Sequence, residues 1–253
     1  MKILLYPNPL VSEAAEIKDE IKRLLKNEEI TEDINDFFDA IITIGGDGTI
    51  LHAAKIASER GVAIAGVNVG RLGYLTSLEK SEIEYLPEII RENNVSEHML
   101  LDVYVNGELL KTIVNEAAII RENYKGIAEI TAEIAEGDSF SYLADGLIVS
   151  TPTGSTAYSF SAGGPIIEHT ADNILLTPVC PHSLANRSLI ISGDRSLKVT
   201  AKSRSKIILL LDGEPLCEIA EDTEIEIKKS KKTLKIYKKH SGNFYSVLKT
   251  KLL

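Results

Sequence analysis

The 253-residue sequence holds only two cysteines, Cys180 and Cys217. That is too few for a disulfide framework or a thiolate zinc site. No run approaches the roughly 20 apolar residues that a membrane helix needs. The start, MKILLYPNPL, has one lysine, a short apolar run and no small-residue cleavage site, so it does not read as a secretory leader. Basic residues are the minority, with 28 Lys and Arg against 37 Asp and Glu and a net charge of −9. A body this acidic is a poor non-specific partner for nucleic acid, because phosphate contacts need clustered cations. At 44% hydrophobic and 26% charged, the composition excludes disorder, collagen and low complexity. The expectation is a soluble, cytoplasmic protein with no membrane or nucleic-acid partner, long enough for one large domain or two small ones.

Positive charge is nevertheless gathered at the end, where residues 228–253 hold nine lysines and no acid. This reads either as a basic arm that closes on phosphates or an acidic neighbour, or as an edge strand, TLKIYKK, protected by lysines against sheet-to-sheet aggregation. The second reading is the simpler and is preferred.

The first ninety-odd residues alternate strand and helix. Lys2 to Tyr6 is a short apolar strand, and Ser12 is placed to cap a helix with Ile17, Ile21, Leu24 and Leu25 at helical spacing. The acidic stretch from Glu28 to Asp36 reads as a loop. Ala40 to Ile44 is a buried strand, Ile50 to Arg60 a helix ended by Gly61, and Val62 to Val67 another apolar strand. Ser81 and Glu84 have capping-box spacing, and Pro87 starts or kinks the helix that follows. This pattern predicts a Rossmann-like α/β domain over residues 1–96, with a parallel sheet covered on both faces. Residues 97–241 read as short β-branched strands punctuated by Asn106-Gly107, Glu136-Gly137-Asp138, Gly193-Asp194 and Asp212-Gly213. That predicts a β-rich, sandwich-like domain. Residues 242–253 are expected to pack back on the first domain.

Two segments carry chemistry. GGDGT, residues 45–49, follows a strand and opens a helix, which is where open α/β sheets bind ligands. Gly45, Gly46 and Gly48 let backbone N–H groups approach a phosphate, and the helix points its positive end there. Thr49 and His52, one helical turn on, are further candidates for phosphate. No GK[ST] follows, so this is not an ordinary P-loop. An aspartate among phosphate-binding amides repels its ligand. Asp47 is best explained as a general base or a metal-bridging carboxylate; the simpler alternative is a glycine-rich turn with Asp47 as helix N-cap.

The second segment, DGLIVSTPTGSTAYSFSAGGPII, runs from Asp145 to Ile167. Its hydroxyls, Thr151, Thr153, Ser155, Thr156, Ser159 and Ser161, offer neutral donors and acceptors suited to ribose, amide and phosphate oxygens. The alternative is a loop that caps a helix near Thr156 to Ala162. Asn115 and Glu116 are polar within an apolar run, TIVNEAAII, where strand alternation would send one to each face. The five histidines show no metal-ligand spacing.

GGDGT, Asn115-Glu116, the long second segment and TPVCPHSLANRSLI (residues 177–190) occur in the order and spacing of the NAD kinase family, and the chain is similar to that family from Ile41 to about Glu214. GGDGT alone is shared with phosphofructokinases and lipid kinases; the long second segment is far more specific. The resemblance implies ATP-dependent phosphorylation of the 2′-hydroxyl of the adenosine ribose of NAD, giving NADP. It implies an α/β domain, a β-rich domain, a site in the cleft between them, and homo-oligomers, dimeric or tetrameric. Carried over, Asp47 resembles the catalytic base and Gly48 a backbone contact beside it. Asn115 and Glu116 match the pair that holds the adenosine ribose and base, and Asp145 the acidic residue near the nicotinamide. Thr156, Ala157, Tyr158, Ser159, Phe160 and Ser161 match the dinucleotide-binding turn. Arg71, Tyr74 and Glu214 depart from the common residues of the family and bear on specificity. With few cations near the motifs, Mg²⁺ held by phosphates and water is expected to screen the triphosphate. Three other readings are weighed: a sugar or lipid kinase sharing only GGDGT, a non-catalytic NAD sensor, and a Rossmann dehydrogenase, for which the G-x-G-x-x-G is missing.

Overall fold

A computed structural model of the chain describes residues 1–123, 125–134, 137–183, 186–240 and 243–252. Glu136 of one expected turn, Leu184 and Ala185 of the TPVCPHSLANRSLI stretch, and residue 242, where the C-terminal segment was expected to begin, lie outside the described residues. The chain forms two compact units. One comprises Met1–Glu97 with Lys232–Leu253, the other His98–Lys231.

The first unit contains β1 (Lys2–Pro7), α1 (Ala14–Leu24), β2 (Glu29–Thr31), β3 (Ala40–Gly45), α2 (Asp47–Arg60), β4 (Ala63–Asn68), β5 (Leu78–Glu79), a 3-10 helix (Lys80–Tyr85) and α3 (Leu86–Glu92). Strands β4, β3, β1 and β2 lie side by side in that order and are all parallel. Chain order reverses between β1 and β3, so the loops leaving those two strands diverge and open a crevice at their carboxyl ends. The core forms where Ile3, Leu5, Ile42 and Ile44 of the sheet meet Ile17, Ile21 and Leu25.

Several local expectations need correction. The acidic stretch is not all loop: Glu29–Thr31 pairs with Lys2–Leu4. Its charge is accommodated by the Lys2–Glu29 pair at 2.7 Å and by Lys18 and Lys22 on Glu32. Helix α1 has Glu13, not Ser12, as its N-cap residue, with no side-chain cap. The capping box is Glu79 with Glu82, two residues earlier than expected. Pro87 sits in the first turn of α3, where its missing N–H has no intrahelical acceptor to lose. Helix α2 begins at Asp47 rather than Ile50 and ends at Gly61, whose φ of 69° is the left-handed conformation expected at a C-cap.

The second unit is built from antiparallel strands: β6 (Val95–Val105), β7 (Glu108–Ile113), β8 (Glu116–Arg121), β9 (Ala128–Ile134), β10 (Asp138–Ala144), β11 (Gly146–Ser150), β12 (Asn173–Val179), β13 (Leu189–Ser192), β14 (Ser196–Lys202), β15 (Ile207–Leu211), β16 (Glu214–Ile219) and β17 (Ile225–Tyr237). One sheet has the order β13-β12-β11-β8-β15-β16; in the other, β10, β9, β14 and the start of β17 are neighbours. Their inner faces share one core, in which Ile119, Leu147, Val149 and Leu209 meet Ile130, Ala132, Leu197 and Val199. This is the expected sandwich-like arrangement. Between β11 and β12 lie a 3-10 turn (Thr153–Thr156) and the single-turn helix α4 (Tyr158–Ser161).

Strand β6 begins in the first unit, at Val95, and strand β17 also crosses the unit boundary. Its last residues belong to the first unit, where Lys235 and Ile236 pair in parallel with Ala63 and Ile64. TLKIYKK is therefore a paired strand beside β4. Helix α5 (Phe244–Leu252) closes the chain in the same unit. Among the described residues, no helix is long and apolar enough to cross a membrane.

Candidate active site

The candidate residues fall in both units and are described unit by unit. In the first, GGDGT joins β3 to α2. Gly45 leaves room for Thr49, whose hydroxyl a Cβ there would strike. Thr49 is buried and accepts from Asn8 Nδ2 at 3.4 Å, which links the loops after β1 and β3. Gly46 precedes the helix and Gly48 is exposed. Asp47, in the first turn of α2, is half-buried. Its Oδ2 accepts the Tyr74 N–H at 2.8 Å and its Oδ1 the Leu75 N–H at 2.9 Å. Asp47 is thus not simply a helix cap: its carboxylate is oriented by a loop nearly thirty residues on. His52 is exposed on the next turn.

Sequence reasoning missed two neighbours. Asn68, at the end of β4, is 1% exposed. Its Nδ2 donates to the Arg71 carbonyl at 3.0 Å and to Glu79 Oε2 at 2.7 Å. Asn68 Oδ1 and Glu79 Oε1 are buried without a hydrogen-bond partner, and both residues line a cavity of about 900 Å³ with Leu10, Ser12, Gly70 and Lys80. The other neighbour is Lys239. Burial pulls its pKa down, while the charges of Glu79, Asp47 and Glu82 hold the ammonium form. The region around Asp47 is therefore less poor in cations than the motifs alone suggest.

In the second unit, Asn115 and Glu116 do not sit within one strand. The chain bends at Val114 and Asn115, and β8 starts at Glu116. The bend is held by Asp212, whose carboxylate accepts the Val114 and Asn115 N–H groups at 3.0 and 2.7 Å. Asp212 has a left-handed φ of 52°. The sequence marks it only as a turn residue. The Asn115 carbonyl accepts Thr151 N–H at 2.9 Å, and its backbone lies so close to Gly154 that a Cβ there would collide with it.

Glu116 is 3% exposed and stands opposite Ser150 in the β8–β11 register. Its Oε2 and the Ser150 Oγ are both buried without partners. Burial, reinforced by the Asp212 charge, pushes its pKa up to about 7; the Tyr158 backbone N–H opposes this. Asp145 is already engaged, by Arg121 Nε at 2.8 Å and Nη2 at 2.6 Å.

The hydroxyls of the second motif point mainly inward. Thr151 donates to the Val114 carbonyl at 2.6 Å and accepts Gly154 N–H. Ser155 bonds the Pro152 carbonyl and the Ile167 N–H. Thr153 meets His98 Nδ1 at 3.0 Å, Thr156 donates to the Thr153 carbonyl, and Ser159 meets Thr177 Oγ1 at 2.8 Å. Ala157 is half-buried, and Tyr158, Phe160 and Ser161 face outward. Most of the expected donors therefore shape the turn.

Residues 8–94 match the family model for the ATP-NAD kinase N-terminal domain, and residues 114–239 that for the ATP-NAD kinase C-terminal domain. Similar curated proteins include an NAD kinase of Ruminiclostridium cellulolyticum, 38% identical over 85% of this chain and 78% of that protein. Another, from Caldicellulosiruptor bescii, is 38% identical over 90% and 87%. Among solved structures, an NAD kinase from Archaeoglobus fulgidus in complex with ATP superposes with a TM-score of 0.78 at 27% identity, covering 95% of this chain and 94% of that one. Yeast NADH kinase complexed with NADH shares the fold, with a TM-score of 0.85 at 20% identity over 98% and 86%. Both halves thus come from one class of nucleotide-dependent phosphotransferase. The chain belongs to the ATP-NAD kinase family.

Proposed function

We propose that the chain is an NAD kinase, moving the γ-phosphoryl group of ATP to the 2′-hydroxyl of the adenosine ribose of NAD, with Asp47 as general base. The observation that carries the assignment of the base is the Asp47 carboxylate, which sits in the first turn of α2 and is oriented by the Tyr74 and Leu75 backbone amides. Phosphoryl transfer is largely positioning and charge neutralisation, so few catalytic side chains are needed. As the ribose oxygen bonds to the γ-phosphorus and the bond to the bridging oxygen of ADP breaks, the hydroxyl proton passes to Asp47 and then to solvent. The α2 N-terminus favours the negative charge of the phosphates.

Gly45, Gly46, Gly48, Thr49 and His52 are assigned to ATP. The cavity beside Asn68 and Glu79 has room for its nucleoside, whose hydroxyl or amine donors suit the two unpartnered oxygens. Asn115, Glu116, Asp145 and residues 156–161 are assigned to NAD. Among the described residues no three His, Cys, Asp or Glu side chains form a metal cluster; magnesium enters as part of MgATP, held by phosphates and water. The reading includes a cytoplasmic location and a homo-oligomer; the oligomer is supported by Phe140 and Leu143, which are exposed on edge strand β10. Purified protein with MgATP and NAD should form NADP, and Asp47→Asn should cut turnover by roughly 10²–10⁴-fold while NAD still binds. Turnover within a factor of a few of the parent would sink the assignment of the base.

A further inference from the structure

We propose that the C-terminal segment is a clamp for Asp47, in which Lys239 and helix α5 grip the Gly73–Thr76 loop that orients the carboxylate. The proposal rests on the reading of Asp47 as base. Residues 71–77 have no regular secondary structure, so no helix or sheet ladder fixes the Tyr74 and Leu75 amides in place. The loop is nonetheless pressed against its target, since a Cβ on Gly73 would collide with both Asp47 Oδ1 and Thr76 Oγ1. What holds it from behind comes from the last fifteen residues. The Phe244 ring lies 6.2 Å from the Tyr74 ring, tilted by 42°. The Lys251 ammonium sits 4.1 Å from the centre of the same Tyr74 ring, at cation–π distance. Lys239 Nζ donates to Thr76 Oγ1 at 3.5 Å.

The helix that carries two of these contacts is itself secured. Asn243 and Ser246 cap its start reciprocally: Ser246 N–H donates to Asn243 Oδ1 at 3.0 Å, and Asn243 N–H to Ser246 Oγ at 2.8 Å. Val247 is buried at its middle. The excess of lysine in the tail has a place in this arrangement. Lys239 is drawn into a partly buried position by the charges of Glu79, Asp47 and Glu82, which offset the cost of removing its ammonium from water. Lys239, Phe244 and Lys251 are thus positioning residues that act through the loop and need no contact with substrate.

The test uses full-length Phe244→Ala, Lys251→Met and Lys239→Met, with Lys239→Arg to restore charge and donor. Two quantities are measured: kcat against KM for NAD, and hydrogen exchange of the Tyr74 and Leu75 amides in the ligand-free protein. A small displacement of a reacting group costs much rate, so Phe244→Ala and Lys239→Met should each lower kcat about tenfold with KM for NAD unchanged. Exchange at the two amides should quicken, and Lys239→Arg should stay near the parent. Lys251 is exposed, so its replacement tests the ring contact without endangering the core. Unchanged kcat, unchanged exchange at Tyr74 and Leu75, or a rise in KM with constant kcat would overturn the clamp. If the parent makes no NADP, the functional reading fails, and the amide exchange still decides the clamp.

Discussion

Glu116 yields a prediction whose size follows from its surroundings. Its carboxyl ionises at about 7 in the fold against an ordinary 4.5, because burial and the Asp212 charge disfavour the anion. Below 4.5 both folded and unfolded chains hold the proton, and nothing is lost. Between 4.5 and 7 the unfolded chain releases a proton that the folded chain keeps, so stability falls as the pH rises. Above 7 both forms are ionised and the loss is complete. At 1.36 kcal/mol per pKa unit, the gap is worth about 3 kcal/mol. Glu116→Gln keeps the shape and cannot ionise, so it should escape the loss. Urea unfolding of ligand-free parent and variant at pH 5 and pH 8 measures it. The stability of the variant relative to the parent should rise by about 2 kcal/mol between the two, because part of the loss has already occurred by pH 5. Burial also pushes the pKa of Asp212 up, and that residue titrates in both proteins, which is why the difference between them is the quantity to follow. Parallel stability curves from pH 5 to 8 would refute the reasoning.

Asn115→Ala should weaken NAD binding by about 5- to 150-fold, the cost of leaving a buried partner unpaired; calorimetric titration giving the parent affinity would contradict that. Gly154→Ala should destabilise the protein by about 1–3 kcal/mol, because the added Cβ meets the Asn115 backbone rather than a movable side-chain end. It should weaken NAD binding at the same time by displacing Asn115, so a normal melting temperature with normal affinity would show that the close approach is unimportant.

Both fold classes were legible in the sequence, because each rests on a periodicity that repeats many times. Short apolar runs such as AIITI, bounded by turn residues, read as strands covered on both faces, and most of the short alternating segments after residue 97 pair with one another; the end of β17, which pairs with β4, is the exception. Local boundaries were less legible. Ser12 has the chemistry of a cap and does not cap, because the preceding loop is held by other bonds, such as Val11 N–H to the Asn8 carbonyl. Glu29–Thr31 is acidic and exposed on one side, and only its pairing with β1 makes it a strand. At the site, the motif residues stand out because glycines and buried polar groups are rare in apolar runs. Asp212, Asn68 and Lys239 did not stand out. Asp212 and Lys239 lie far in sequence from the residues they support, and an Asp-Gly turn or one lysine among nine carries no local signal of a distant partner; Asn68 bonds the nearby Arg71 and Glu79, but an asparagine closing an apolar strand reads as an ordinary turn residue.

Polar groups around the candidate residues are used in two ways. In the first unit, Asn68 and Glu79 leave oxygens buried without partners, and so do Glu116 and Ser150 in the second. Unsatisfied buried acceptors are costly, and their concentration beside the two motif regions marks where an incoming donor would relieve that cost. In the turn from Thr153 to Ser161 the hydroxyls are already satisfied internally. Changing Ser155 or Ser159 to alanine would therefore loosen the turn rather than remove a contact to NAD. What the turn presents outward is Tyr158, Phe160 and Ser161. Exposed rings on a turn fixed from within would suit a dinucleotide, whose flat bases offer apolar faces.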